Sequence, residues 1–253
     1  MTTPDKAVDA FLKTAVDAVL DAQRQSEKPL AIVLAGHNGS GKSTMWYLQL
    51  ADKLQVPLVN ADRMMLSILP EVNQNQHLPA WAARLRDNDT SWMKVAQMGV
   101  EAFVAQAMLH GIPFAMETVF SHWRRQEDGS FESKIRKIEE MQEAGYFVLL
   151  FFVGLSDEQL SIARVSTRVI AGGHNVDVEK LVQRFPRTQK AIRQAVKVAD
   201  AAILTDNSRE RSDAFTVCRI QMRDKVVYDR RISETDTPKV IRNWLDIVCP
   251  LPT

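Results

Sequence analysis

The chain has 253 residues, 45% of them hydrophobic and 25% charged, with a formal net charge of +1. That length and composition suit one large folded α/β domain or two small ones. So even a charge balance gives no global field for nucleic acid or an anionic membrane. Cys218 and Cys249 are too few for a disulfide framework or a zinc site, and no apolar run reads as a signal peptide or a membrane span. The expected setting is cytoplasmic, with no membrane partner and nucleic acid disfavoured.

In chain order, Thr3-Pro4-Asp5 opens a helix over about 4–24, a capping residue followed by proline in the first turn. Val8, Phe11, Leu12, Ala15, Val19 and Leu20 recur at helical spacing, opposite Asp9, Lys13, Asp17 and Asp21. The pattern fits a helix packed on the domain, with a partner-binding helix as the alternative. Gln23–Lys28 reads as a polar connector.

Leu30–Ala35 is a short apolar run of the kind that forms a strand buried on both faces. Gly36-x-x-x-x-Gly41-Lys42-Ser43 follows it and matches the phosphate-loop pattern, with a helix expected from Lys42. Glycines let backbone N–H groups turn inward around phosphate oxygens, and the helix adds the positive end of its dipole. Gly36, Asn38, Gly39, Ser40, Gly41, Lys42, Ser43 and Thr44 are therefore the expected ATP-binding residues. Lys42 is expected on the β- and γ-phosphates and Ser43 on Mg²⁺. A glycine-rich turn that meets the pattern by chance is the alternative.

Thr44–Leu54 should continue as a helix with Trp46, Leu48 and Leu50 packing. Val56–Val59 reads as a second strand that delivers Asn60-Ala61-Asp62-Arg63 at its carboxyl end, where open α/β sheets bind ligands. Asp62 there can receive a proton from a hydroxyl or hold Mg²⁺ through water. It can also cap a helix starting near Met64. Pro70–Trp92 is polar and reads as an insertion; Trp81 and Trp92 either stack on a ligand or pack internally. A helix over Ser91–His110 follows, with Val95, Met98, Ala102, Phe103 and Met108 inward and Gly111 as its stop.

Ile112–Met116 is a third strand, delivering Glu117-Thr118-Val119 to a polar turn at Ser121–Arg124. Glu117 can accept hydrogen bonds from sugar or other hydroxyls, or be a solvated loop carboxylate. Phe131–Gly145 reads as an amphipathic helix and Tyr146–Leu155 as the central strand. Helix 158–171 carries Arg164 and Arg168 on one face, and Gly172-Gly173 ends it. A second helical stretch from Val176 carries Arg184, Arg187 and Arg193 and is interrupted by Pro186. Several arginines on a helix–glycine–helix hairpin, about 157–199, suit a lid over phosphates; a solvated salt-bridging face is the alternative. Ala201–Leu204 is a fifth strand leading to Thr205-Asp206-Asn207-Ser208. A β-hairpin over Phe215–Tyr228 and a helix over Lys239–Val248 complete a C-terminal unit at about 214–248. The unbroken β–α alternation predicts a single domain, 1–253.

The order GHNGSGKST, NAD, ET, RVSTRVIAGGHNV, QRFPRT and TDNS resembles the zeta toxin-like kinases, from Leu30 to about Ser208. The resemblance implies a P-loop kinase-like three-layer α/β sandwich with a mainly parallel five-stranded sheet and a helical lid, here followed by the C-terminal β-hairpin. It implies transfer of phosphate from ATP, with Mg²⁺, to a small-molecule hydroxyl acceptor such as UDP-N-acetylglucosamine, and an antitoxin protein as partner. By matching position, Asp62 is the base, Lys42 and Ser43 hold phosphates and metal, and Asn60, Glu117, Thr118, Ser121 and Arg184 line the acceptor. Arg164, Arg168, Arg184 and Arg187 are lid residues, Arg168 and Arg187 those for the travelling phosphoryl group, and Asn207 lies near the adenine. Two positions depart from the family. Val119 stands where a threonine is common, which bears on the sugar-nucleotide substrate, and Pro186 sits between the paired arginines, which bears on lid geometry. The alternatives are a kinase of another small molecule (nucleoside, sugar or antibiotic) and a non-catalytic ATP-dependent regulatory protein.

Overall fold

The computed structural model describes residues 4–71, 78–88, 90–129, 131–170, 176–234 and 236–251. Helix α1, Pro4–Ser26, runs into the expected connector, and it buries Leu12, Ala15, Val16 and Val19 while Phe11 stays partly exposed against the edge of the Tyr228 ring. Strand β1, Leu30–Gly36, is buried at every residue. Helix α2, Lys42–Met45, passes through a π-helical turn at Trp46–Leu50 into α3, Ala51–Leu54. Trp46 and Leu50, four residues apart, both turn inward, whereas Leu48 faces solvent, contrary to the sequence expectation.

Strand β2, Leu58–Val59, leads into α4, Ala61–Ser67. The expected insertion is partly helical: α5 spans Ala80–Asn88 and α6 spans Thr90–His110, while 72–77 lie outside the described residues. Trp81 is exposed. On α6 the inward residues are Ala96, Val100, Val104 and Ala107, and the expected Val95, Met98 and Phe103 point outward. Apolar residues surround this helix, so periodicity does not single out a face; close approach to α4 does. A Cβ at Gly99 would meet the Met64 sulfur, so the side carrying small residues is the one that can pack.

Strand β3, Phe114–Thr118, runs two residues past its expected end, so Glu117 and Thr118 are strand residues. A small antiparallel hairpin, β4 Trp123–Arg125 and β5 Phe131–Ser133, replaces the expected polar turn and the start of the expected helix. The Trp123 and Phe131 rings stack at 4.7 Å across it, the aromatic pair that a two-strand ribbon needs. Helix α7, Ile135–Glu143, and strand β6, Phe147–Gly154, follow. Next come α8, Glu158–Ile170, α9, Val178–Val198, and β7, Ala201–Asp206. Strands β8, Thr216–Met222, and β9, Lys225–Asp229, then form the expected hairpin, followed by a short α10, Arg230–Ser233, and by α11, Lys239–Val248.

The main sheet has seven strands in the order β2-β3-β1-β6-β7-β8-β9. The first five are parallel, as the fold class requires, and β8 and β9 add antiparallel to the same sheet. Alternation along β1 sends Ala31, Val33 and Ala35 to a layer containing α6, α7, α9 and α11, and Ile32 and Leu34 to one containing α1 and the phosphate-loop helix. With a helical layer on each face, the parallel strands are apolar throughout. Gly154 lies against Trp244 of α11 so closely that a Cβ would overlap the indole. Near the C-terminus, Asp229 takes Arg219 Nη1 at 2.6 Å and Arg231 Nη2 at 2.6 Å, and Arg231 Nη1 reaches Asp246 at 2.6 Å. This buried cluster binds the hairpin to α10 and α11. Among the described residues no helix is long and apolar enough to cross a membrane.

Candidate functional site

The carboxyl ends of β1, β2, β3 and β6 gather at one edge of the sheet, and the loop 36–41 between β1 and α2 lies there. Gly36 is pressed on the Val153 carbonyl of β6, leaving no room for a side chain. Gly41 has a left-handed φ of 88°, and a Cβ there would stand 2.8 Å from Asn207 Nδ2. Asn207 donates that amide to the Ser40 carbonyl at 2.8 Å, and its backbone N–H to Gly154 at 3.0 Å. Asn207, the residue expected near the adenine, thus braces the loop against β6 and β7.

Lys42 is only 8% exposed. Its Nζ donates to the carbonyls of Gly36 at 3.1 Å and His37 at 3.0 Å and stands 4.0 Å from Glu117 Oε1. Burial pushes its pKa below the usual lysine value; Glu117 and Asp62 pull it back up, and Arg168 pushes it down. Ser43 Oγ lies 3.1 and 3.0 Å from the two Glu117 oxygens. Asn60 Nδ2 donates to Glu117 Oε2 at 2.7 Å, while Asn60 Oδ1 accepts from the backbone N–H groups of Asp62 at 2.8 Å and Arg63 at 3.3 Å. Asn60 is thus the cap of α4, which starts at Ala61 and not near Met64, and Asp62 sits uncommitted in its first turn with an exposed side chain.

Glu117 therefore faces the phosphate loop instead of ending a loop of its own. The Ser43 hydroxyl and the Glu117 carboxylate are adjacent hard oxygen donors, a pair that suits Mg²⁺ when phosphate oxygens and water complete its shell. Among the described residues no group of three or more His, Cys, Asp or Glu side chains could hold a metal ion.

Two residues that the sequence did not single out complete the surroundings. His37, an unspecified position in the loop pattern, is 1% exposed, and its ring lies flat on Phe185 of α9 at 4.0 Å and 16°. Its Nδ1 accepts from the Leu155 N–H at 3.2 Å. Burial, with the Lys42 charge, lowers its pKa to about 3, against the Phe185 backbone, so the ring is neutral at working pH. Lys134, at the N-cap of α7, donates to Thr118 Oγ1 at 2.6 Å. No motif marks either residue; topology alone brings them to the site.

The expected lid helices are packed at their bases. On α8, Ser161 Oγ donates to the Asn38 carbonyl at 2.7 Å, fixing that helix to the phosphate loop. Arg164 is half-buried, and burial lowers its pKa against the pull of Asp206; Arg168 is exposed, yet its charge registers at Lys42. Pro186 does not interrupt the second helix: α9 is continuous through it. From Thr188 to Val196 this helix buries its inner face in the core, so only its first turns belong to the site. Arg184 is half-buried and Arg187 exposed there, while Thr188 Oγ1 donates to the Val119 carbonyl at 3.2 Å. Ser121 is half-buried beyond the end of β3. Gly172 and Gly173, expected to end the first of these helices, lie outside the described residues. The site thus brings together Lys42, Ser43, Asn60 and Glu117, with Asp62 and Arg168 in electrostatic reach; Thr118 and Arg184 belong to a second group around Lys134.

The family model described as Zeta toxin matches residues 16–233. The chain belongs to the zeta toxin family. It is also similar to an uncharacterized protein of Haemophilus influenzae (strain ATCC 51907 / DSM 11121 / KW20 / Rd), 28% identical over 155 residues, 61% of this chain and 91% of that one. Among solved structures, the AvrRxo1-ORF1:-ORF2 complex with ATP is 13% identical, with a TM-score of 0.58 over 98% of this chain and 73% of the other. A chain of the PezAT chromosomal toxin–antitoxin system of Streptococcus pneumoniae is 13% identical, with a TM-score of 0.51 over 94% of this chain and 88% of that one. At these identities the likeness is one of fold, and it spans both helical layers and the sheet of this zeta toxin family member.

Proposed function

We propose that this protein is an ATP- and Mg²⁺-dependent kinase that transfers the γ-phosphoryl group to a hydroxyl of a small molecule, UDP-N-acetylglucosamine being the first acceptor to test. The observation that carries the reading is the convergence of Lys42, Ser43 and Glu117 at the carboxyl edge of the sheet, beside an exposed Asp62. The fold neighbour solved with ATP supports it.

In this reading the loop's backbone N–H groups and Lys42 hold the triphosphate, and Ser43 and Glu117 hold the metal, which supplies charge neutralisation at the phosphates. Asp62 accepts the proton of the acceptor hydroxyl as its oxygen bonds the γ-phosphorus. The bond to the β–γ bridging oxygen breaks in line, and ADP leaves with that electron pair. Arg164, Arg168 and Arg187 on α8 and α9 stabilise the equatorial oxygens, as an arginine lid does. The whole chain acts as one cytoplasmic kinase domain, and an antitoxin protein is its proposed partner, by extension from the toxin–antitoxin system among its fold neighbours.

The test is mass spectrometry of products after incubation with ATP, Mg²⁺ and a pool of nucleotide sugars, nucleosides and sugars, with Lys42→Ala as blank. A phosphate added to one acceptor is the expected result; inorganic phosphate alone, or no turnover despite ATP binding, overturns the reading in favour of a regulatory ATP-binding protein. Asp62→Asn should keep ATP binding and lose transfer by about 10²–10⁴-fold.

A further inference from the structure

The helix that follows the phosphate loop is not regular. Between α2 and α3 it takes one π-helical turn, Trp46–Leu50, a feature that recurs inside α-helices at functional sites. The turn keeps Trp46 and Leu50 in the core and leaves Tyr47 47% exposed on the outside. The guanidinium carbon of Arg63 lies over the Tyr47 ring, 4.8 Å from its centre. This cation–π contact joins the helix of the phosphate loop to the first turn of α4.

A second bridge joins the same two helices. Ser43 meets Glu117, and Glu117 accepts from Asn60, the cap of α4. Ser43 and Tyr47 are four residues apart on one element, and Asn60 and Arg63 three apart on the other. The two bridges therefore stand about one helical turn from each other at both ends, and Asp62 falls between them in the chain. Asn60 Oδ1 also takes the Asp62 and Arg63 N–H groups, at 2.8 and 3.3 Å. Residues adjacent on a helix do not face each other, so the Arg63 contact leaves the Asp62 carboxylate clear.

The inner bridge by itself is a single line through Glu117, about which α4 could swing with Asn60 as the pivot. A second point of attachment one turn away removes that freedom. We infer that Tyr47 and Arg63 are positioning residues. Their stack is the outer point of a two-point clip that sets the angle of α4 on the phosphate-loop helix, and so the place of the Asp62 carboxylate relative to the phosphates. An aromatic ring suits this role better than a carboxylate would, because it holds the cation without adding negative charge beside a triphosphate site. The part played by Asp62 rests on the kinase reading above, but the clip is a property of the fold and is measurable without turnover.

Two measurements on the full chain test this, each made on wild type, Tyr47→Ala, Tyr47→Phe and Arg63→Gln. The first is amide hydrogen exchange at Asp62, Arg63 and Met64, whose N–H groups all bond to Asn60. Loss of an exposed cation–π contact should speed their exchange about two- to fivefold in Tyr47→Ala and Arg63→Gln, but not in Tyr47→Phe, which keeps a ring. Melting midpoints near wild type separate this local loosening from lost fold. The second is turnover with MgATP and an acceptor that the wild type phosphorylates. Tyr47→Ala should lower kcat about tenfold or more while the KM for ATP stays within about twofold, and Tyr47→Phe should restore kcat. Unchanged exchange in Tyr47→Ala overturns the clip. Faster exchange with wild-type kcat, or a Tyr47→Phe that does not recover turnover, overturns the positioning role. Absence of phosphorylated product from the wild type with every acceptor overturns the kinase reading, and hydrogen exchange then decides the clip by itself.

Discussion

The Phe185 ring lies flat on the His37 imidazole, so the helix that carries Arg184 and Arg187 is keyed to the second residue of the phosphate loop. Movement of either is transmitted to the other through a stacked pair that is almost wholly buried. Phe185→Ala should lower stability by about 3–5 kcal/mol and weaken ATP binding, whereas Phe185→Leu, which keeps most of the volume, should recover most of both. Thermal melts and ATP titration of the two variants check this; unchanged ATP affinity in a folded Phe185→Ala would mean that the stack is packing only.

His37 also sets an acid limit. Its folded pKa of about 3 lies below the ordinary imidazole value of 6.5, because burial and the Lys42 charge disfavour the imidazolium. The unfolded chain therefore binds the proton first, and the stability tied to the neutral ring is full above about pH 6.5 and is lost progressively as pH falls toward 3. His37→Asn, whose side-chain oxygen can still accept from Leu155, should flatten that slope. Urea midpoints between pH 7 and 4 give the comparison, and parallel slopes would exclude His37 as the titrating group.

Glu117 touches three groups at once, Ser43, Asn60 and Lys42, so its charge is the hub of the site. Glu117→Gln preserves shape and removes the charge. It should raise the Mg²⁺ concentration needed for half-maximal turnover and cut turnover by about 10²–10³-fold, the range of a lost electrostatic stabiliser. Asn60→Ala should cost about 1 kcal/mol through the lost cap and a smaller fraction of activity. A Gln variant with wild-type metal dependence would place the metal elsewhere.

Asp229 is the counter-charge of two buried arginines. Burial pushes its carboxyl up, but hydrogen bonds and charges from Arg231 and Arg219 outweigh it and hold the pKa below 3.8. Its contribution is therefore present above about pH 3.8 and is lost as pH falls through the lower folded value. Asp229→Asn at neutral pH leaves Arg219 and Arg231 without their shared carboxylate and should destabilise by about 3–5 kcal/mol. Denaturant unfolding measures it; a loss near zero would show the cluster to be solvated in practice.

Local patterns told much of this fold in advance. The phosphate loop reads directly because glycine spacing, lysine and serine act within eight residues of chain, and α11 reads to its bounds because its apolar stripe is narrow. The inward face of α6 does not, since residues such as Val95, Met98 and Phe103 are as apolar as Val100 and Val104, and contact with α4 decides between them. Asp62 and Asn60 are equally plausible caps by type; only the backbone shows that Asn60 takes the role. The β4–β5 ribbon is held by a Trp123–Phe131 pair eight residues apart, which no single-element period contains. His37 and Lys134 owe their positions to partners at residues 185 and 118, so their part in the site is a property of topology.

The two margins of the main sheet carry unlike risks of unwanted strand addition. On one side β2 is only two residues long, too short a row of free backbone groups to template another chain. On the other, β9 offers five residues, and Val226 and Val227 are exposed along it. What limits that margin is its anchorage: β9 ends at Asp229, whose two arginines lock it to β8 and α10, and the ladder to β8 shifts register between Ile220 and Gln221. An irregular, pinned margin is a poor template for a flat intermolecular ribbon. The ion cluster near the C-terminus therefore fixes the shape of the exposed sheet margin as well as joining β8 to α10.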